Sequence, residues 1–281
     1  MRFGICCGPG SFAPQVKDQP LSSVPALMEM LRAAGADYVE FPVGAVSPAQ
    51  PEETFKPLLE EMARSPLRAE AFNSFIPAQH RITGPDVNLP GVLEYCRTAL
   101  RRCKALGGQV VVLGSSGARK IAPDFERSRA EEQFIAFGKA LGPIAAEIGI
   151  DVAIEPLNRK EDNLIQTVQC GARLMDAIGQ PRIRLLADLY HIAEENEPLT
   201  QITAAGKRLC HVHVADRGRV APGYSQTGEE DFVGFFRALR KAGYDQRCSF
   251  EGRLDDIASQ SKPLLEHLKK RWAESGNGGW H

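Results

Sequence analysis

Four successive apolar runs in the second half of the chain each end in a side chain that can bind a metal ion. The run DVAIEPLNR carries Glu155, RIRLLADLYH carries Asp188, LCHVHVADR carries His211 and His213, and RCSFEGR carries Glu251. Taken singly, a strand-end carboxylate is more often a helix cap or one half of a surface ion pair. A single strand histidine is more often a hydrogen-bonded core residue. Four in succession, all at the same end of consecutive strands, point to one shared site. Burying such carboxylates without partners is costly, and a divalent cation between them offsets that cost. Three carboxylates, one imidazole and no thiolate favour Mn²⁺, with Mg²⁺ or Co²⁺ as alternatives, over a structural zinc site. Strand side chains two apart share a face, so His211 and His213 point the same way. His213 lies nearer the strand end and is the expected ligand. His211 is expected to support it or to fill the core.

These residues need a frame that lines up strand ends. Strands are expected at Arg2–Cys6, Tyr38–Phe41, Arg68–Phe72, Val110–Leu113, Asp151–Glu155, Ile183–Asp188, Cys210–Val214 and Cys248–Glu251. Helix-spaced segments separate them. In Leu21–Ala34, Val24, Leu27, Met28 and Leu31 share a face, and Ala130–Ile148 repeats the pattern. Gly35, Gly107, Gly149, Gly179, Gly206 and Gly243 each sit where a helix should end before a strand. Eight such alternations in 281 residues predict an α/β fold, a (β/α)8 TIM barrel, whose active site lies at the C-terminal ends of the strands. A doubly wound open sheet fits less well, because the first strand leads into CGPG rather than GxGxxG. Residues 1–281 read as a single domain with a loose end at Glu274–His281.

Composition narrows the partners. A net charge of −1 gives no electrostatic reason to expect nucleic acid or an anionic membrane. No run approaches the roughly 18 apolar residues of a membrane span, and the N-terminal run lacks a signal peptide's apolar core. The expectation is a cytoplasmic protein. Seven cysteines without a CxxC pair read as buried reduced thiols.

The same motifs resemble the xylose-isomerase-like barrel superfamily, in particular its sugar phosphate isomerase/epimerase branch and the ketose 3-epimerases of the D-tagatose/D-psicose type. EPLNRKEDN (155–163) is similar to that branch's fifth-strand motif and DLYH (188–191) to its sixth. HVHVADRGR (211–219) followed by Pro222 and Gly223 resembles its seventh, and SFEG (249–252) its last. The resemblance implies that Glu155, Asp188, His213 and Glu251 hold one divalent metal ion, with no organic cofactor. It implies that Glu155 and Glu251 are also the acid/base pair, and that Glu161, His191 and Arg219 hold substrate oxygens. A small sugar is the implied partner, and a homodimer or tetramer is compatible with it.

The implied chemistry is physically coherent. A proton beside a ketone is too weakly acidic for a free carboxylate to remove quickly. A metal chelating the carbonyl and an adjacent hydroxyl stabilises the enediolate that results. Removal by one carboxylate and return by the other inverts the carbon; return at the neighbouring carbon isomerises; loss of a β-hydroxyl dehydrates. The ligand set does not choose among these, so a dehydratase of a sugar- or inositol-derived ketone is the alternative. An AP endonuclease fits poorly, because only His80 of six histidines lies in the first half. A non-catalytic sugar-binding protein would be expected to have lost a ligand.

Three further segments are open to two readings each. Gly114–Phe125 could meet a phosphate or a sugar hydroxyl through Arg119 and Lys120, or be an ordinary loop capped by Asp124 before the next helix. Glu40 and Asn73 could line the pocket, with an ion pair at the mouth the plainer reading of Glu40. Val220–Asp231 could be a lid or a surface loop before a helix near Glu229.

Overall fold

The computed structural model describes residues 1–8 and 23–276. Eight parallel strands close into a barrel in sequence order. They are β1 (Arg2–Cys6), β2 (Tyr38–Pro42), β3 (Ala69–Asn73), β4 (Val110–Leu113), β5 (Asp151–Ile154), β6 (Ile183–Asp188), β7 (Leu209–Val214) and β8 (Arg247–Phe250). β8 pairs with β1 and completes the ring. The expected (β/α)8 architecture is therefore the observed one, and each strand lies within a residue or so of its expected bounds. The CGPG segment falls partly outside the described residues.

Helices α1 (Val24–Ala33), α2 (Glu52–Ala63), α3 (Leu89–Ala105), α4 (Ser116–Arg119), α5 (Arg127–Ile148), α6 (Val168–Ile178), α7 (Leu189–Glu194), α8 (Thr200–Ala205), α9 (Phe232–Lys241) and α10 (Ile257–Glu274) follow. Among the described residues, α4 and α7 are short additions at the mouth and the other eight form the outer ring. Each longer helix buries one stripe, as α1 does with Val24, Leu27, Met28 and Leu31. Fully burying such a side chain stabilises by about 1.5–3 kcal/mol. α10 ends at Glu274, and Ser275 beyond it is buried and bonded to Arg240 Nε at 2.9 Å.

Inside the barrel, Tyr38, Ala71, Val110, Val112, Ala153, Leu186 and Cys210 form a plug separate from the outer core. Gly4 lies under the Tyr38 ring, where a β-carbon would stand 2.6 Å from it. Two register shifts matter for the site. Pairing of β2 with β3 skips Glu70, and pairing of β6 with β7 skips Cys210. An extra residue re-aims the side chains that follow it. Beyond the second shift, His211 and His213 both face the barrel interior, where each meets Glu40.

Candidate active site

Each candidate side chain is aimed by the end of its strand. Glu155 directly follows β5, with its N–H on Leu113 O at 3.3 Å. Gly114 leaves room for it, since a β-carbon there would collide with Glu155 Oε2. Asp188 is the last residue of β6 and the N-cap of α7. Its Oδ1 accepts the Tyr190 N–H at 2.8 Å, while its Oδ2 is buried without a hydrogen-bond partner. His213 Nδ1 lies 3.1 Å from Glu155 Oε1 and 3.6 Å from Glu251 Oε2. Asn73, at the end of β3, donates to Glu251 Oε1 at 3.2 Å. One donor atom from each of Glu155, Asp188, His213 and Glu251 lies within 4.8 Å of the others. Three oxygens and a nitrogen converge, one oxygen lacks a partner, and no thiol belongs to the group. That donor set fits a hard divalent cation.

The electrostatics follow from crowding like charges in a buried place. Burial and the nearby Glu155 and Asp188 push Glu251 up to about 7, against the pull of His213 and Arg219. Burial acts on Glu155 in the same sense, but its hydrogen bond to His213, and the charges of His213, His191 and Arg219, hold it below the ordinary carboxylate range. Burial disfavours charge on His213, yet Glu40, Glu251 and Glu155 together hold it well above the usual imidazole value. A pocket that attracts a proton this strongly also attracts a cation that can replace it.

Glu161, His191 and Arg219 come to the rim of the same cluster. Asn158 directs its backbone N–H at His191 Nδ1, at 3.2 Å, and its side-chain nitrogen at the same atom, at 2.9 Å. Nδ1 must then accept, and a neutral ring carries its proton on Nε2. That Nε2 is buried, lacks a hydrogen-bond partner and lies 3.6 Å from Asp188 Oδ2. It is a donor held ready for an oxygen. Arg219 has a left-handed backbone, φ 60°, in a turn closed by its N–H on Asp216 O at 2.8 Å. Its guanidinium bonds Glu251 and lies 3.3 Å from Glu161 Oε1 and 5.2 Å from the Tyr190 ring centre. Cation and ring face attract at that range.

One residue that shapes the site was not singled out by the sequence. Asp216, fully buried, gathers the N–H groups of Arg217, Gly223 and Glu230 and so shapes the loop between β7 and α9. That loop runs to Asp231, the N-cap of α9. Arg119 is fully buried and binds Asp162 at 2.9 Å and the carbonyls of Leu113 and Glu155 at 2.8 Å each. It braces the ends of β4 and β5, with all three guanidinium nitrogens engaged and no surface exposed to a phosphate. Lys120 reaches Glu161 O at 3.4 Å. Asp124 does not cap α5; it has φ 59°, and Glu126 holds the cap position without a side-chain bond. Glu40 does not form a rim ion pair. It is fully buried between His211 and His213. None of the seven cysteines is in a disulfide. Among the described residues, no helix is long and apolar enough to cross a membrane.

A closed eightfold barrel with an acid-rich cluster at its mouth is an enzyme architecture, and its relatives are isomerases. The profile of the xylose isomerase-like TIM barrel family matches residues 14–273, and the chain belongs to that family. It is 32% identical over 256 residues to an L-ribulose 3-epimerase of Methylomonas sp. (strain DH-1), covering 88% of this chain and 82% of that protein. It is 33% identical over 134 residues to a 3-dehydro-D-guloside 4-epimerase of Escherichia coli (strain K12), covering 47% of this chain and 50% of that protein. A D-allulose 3-epimerase from Methylomonas sp., solved with D-allulose, superposes with a TM-score of 0.75 at 25% identity, over 96% of this chain and 97% of that one.

Proposed function

We propose that this enzyme is a divalent-metal-dependent ketose 3-epimerase. Glu155, Asp188, His213 and Glu251 would hold the ion, with Mn²⁺ the best match to a site of three carboxylates and one imidazole. The observation that carries the reading is the convergence of these four donors on one point, with Asp188 Oδ2 buried and otherwise unpartnered. The 3-epimerase relatives support the reaction type.

A bound dication would polarise the ketone carbonyl and offset the negative charge that develops when the neighbouring C–H loses its proton. The remaining work belongs to the chain. One of Glu155 and Glu251 takes the C3 proton, and the other delivers a proton to the opposite face, which inverts that carbon. His191 Nε2–H donates to a substrate oxygen. Arg219 keeps Glu251 in place and offers a further donor, and Glu161 accepts from a hydroxyl. Tyr190, stacked with Arg219, forms part of the wall. The order in which the two glutamates act depends on which epimer enters.

The test is proton exchange in D2O. Purified protein with Mn²⁺ is incubated with a panel of free and phosphorylated ketoses, and the sugars are read by NMR. Deuterium at C3 together with a new epimer is the expected outcome. Deuterium at C1 or C2 with an aldose would replace epimerisation by isomerisation. A dehydrated product would replace it by β-elimination.

A further inference from the structure

His213 belongs to two donor groups at once. One is the mouth cluster with Glu155, Asp188 and Glu251. The other, on the opposite side of the ring, is Cys6, Glu40 and His213, whose donor atoms also lie within 4.8 Å of one another. An imidazole can offer only one bare nitrogen while keeping the other protonated, so something must select the nitrogen.

We infer that Glu40 makes this selection: it is the positioning residue that keeps the proton on His213 Nε2 and so presents Nδ1 to the ion at the mouth. The inference rests on the reading of His213 as a metal ligand. Glu40 is fully buried on β2, three places round the barrel from β7. Its Oε1 lies 2.9 Å from His213 Nε2 and its Oε2 lies 2.7 Å from His211 Nε2. An ionised carboxylate can only accept, so both rings must direct an Nε2–H at it. For His213 that makes Nδ1, on the side of Glu155 and Glu251, the nitrogen that gives up its proton when an ion occupies the mouth. For His211 it leaves Nδ1 as an acceptor, and that atom is buried without a partner. Ser249 Oγ, 3.4 Å from His211 Nε2 and 2.8 Å from Tyr38 Oη, completes the packing from below.

The arrangement has two consequences. A carboxylate on the far nitrogen fixes the ring's rotation and makes the near nitrogen a better electron donor to a cation. It also occupies the nitrogen that the thiol-containing group would need, so a thiophilic ion is denied a seat away from the three mouth carboxylates.

Two measurements test this. In ¹⁵N-histidine-labelled, Mg²⁺-loaded wild-type enzyme, long-range ¹H–¹⁵N spectra should show His213 protonated on Nε2 and bare on Nδ1. A proton on Nδ1 would overturn the inference without any variant. Calorimetric Mn²⁺ titrations of wild type, Glu40→Gln and His213→Ala follow, each checked for fold by circular dichroism. A neutral amide weakens the hold on Nε2–H, and Glu40→Gln should bind Mn²⁺ about 10- to 100-fold more weakly. Unchanged affinity in Glu40→Gln, with His213→Ala weakened, would overturn the role of Glu40 alone. Unchanged affinity in His213→Ala would remove His213 as a ligand, and the inference with it. If Glu40→Gln does not fold, the wild-type spectrum decides.

Discussion

The two ends of the barrel hold charged clusters built on opposite principles. At the N-terminal ends of the strands, Glu70 sits between Arg2 Nη1 at 2.6 Å and Arg247 Nε at 2.7 Å, and Arg2 also reaches Asp37 O at 2.9 Å. The acid there has more cationic partners than it needs. At the C-terminal ends, Glu155, Asp188 and Glu251 face one another with Arg219 and His213 as their cationic neighbours, and one carboxylate oxygen has no hydrogen bond. The floor is a satisfied network and serves stability. The mouth sets three acids against two cationic groups, a balance that the cation proposed above would complete. Barrels in general divide this way, with stability at the bottom and chemistry at the top.

The strongest way to break the comparison is to neutralise the mouth acids. Glu155→Gln and Glu251→Gln should each cut turnover by about 10²–10⁴-fold, the range for loss of general acid–base catalysis. C3 exchange in D2O reads the loss, and the melting temperature of the metal-free protein should not fall. Normal rates in both variants would remove the two glutamates from proton transfer.

Arg119→Met should cross the boundary and damage both functions. It strips Asp162 of its buried counter-ion and takes one donor each from the Leu113 and Glu155 carbonyls. Breaking a buried pair on one side costs about 3–5 kcal/mol. Urea denaturation measures that loss, and kcat should fall with it because Glu155 loses its brace. A variant as stable as wild type would show that solvent or neighbours replace the guanidinium.

Metal removal probes the mouth alone. Mn²⁺ at about 100 times its Kd should stabilise the fold by about 2.7 kcal/mol. At about 2–4 °C per kcal/mol for a chain of this size class, the melting temperature should rise by about 5–10 °C over the chelator-treated protein. An unchanged melting temperature would mean that no ion binds the native state, and the metal reading would fall.

Much of this contrast was legible in the sequence because it is local. Strand ends show as apolar runs turning polar, and the six glycines expected after helices all have positive φ. The four mouth residues follow from position on those strands. What was not legible depends on closure of the ring. DYVEF says nothing of a partner 171 or 173 residues away, yet closure sets Glu40 between His211 and His213. Arg119 read equally well as a phosphate ligand, because its partner Asp162 lies 43 residues on and meets it only when β4 and β5 are adjacent. The shift that skips Glu70 was likewise invisible, since a one-residue bulge leaves the apolar pattern of AEAFN nearly intact.

The smallest effect is expected at the floor and is the cleanest test of the division. Glu70→Gln leaves Arg2 and Arg247 facing a neutral amide. The site is half-open, with Arg2 about half exposed, so solvent screens part of the loss. About 1–2 kcal/mol is expected, between the values for surface and buried pairs. Burial would raise the Glu70 carboxyl, but the bonds to Arg2 and Arg247 outweigh it and hold the group below its ordinary value of 4.5. A carboxylate depressed in the folded state contributes its stability in full above its unfolded value and loses it as pH falls through the folded one. The gap between wild type and Glu70→Gln in urea midpoints should therefore be constant near neutrality and close on acidification below about 4.5. Turnover and the Mn²⁺-induced rise in melting temperature should match wild type throughout. A loss of either would mean that floor and mouth are coupled through the barrel interior, by way of Tyr38, Ser249 and His211.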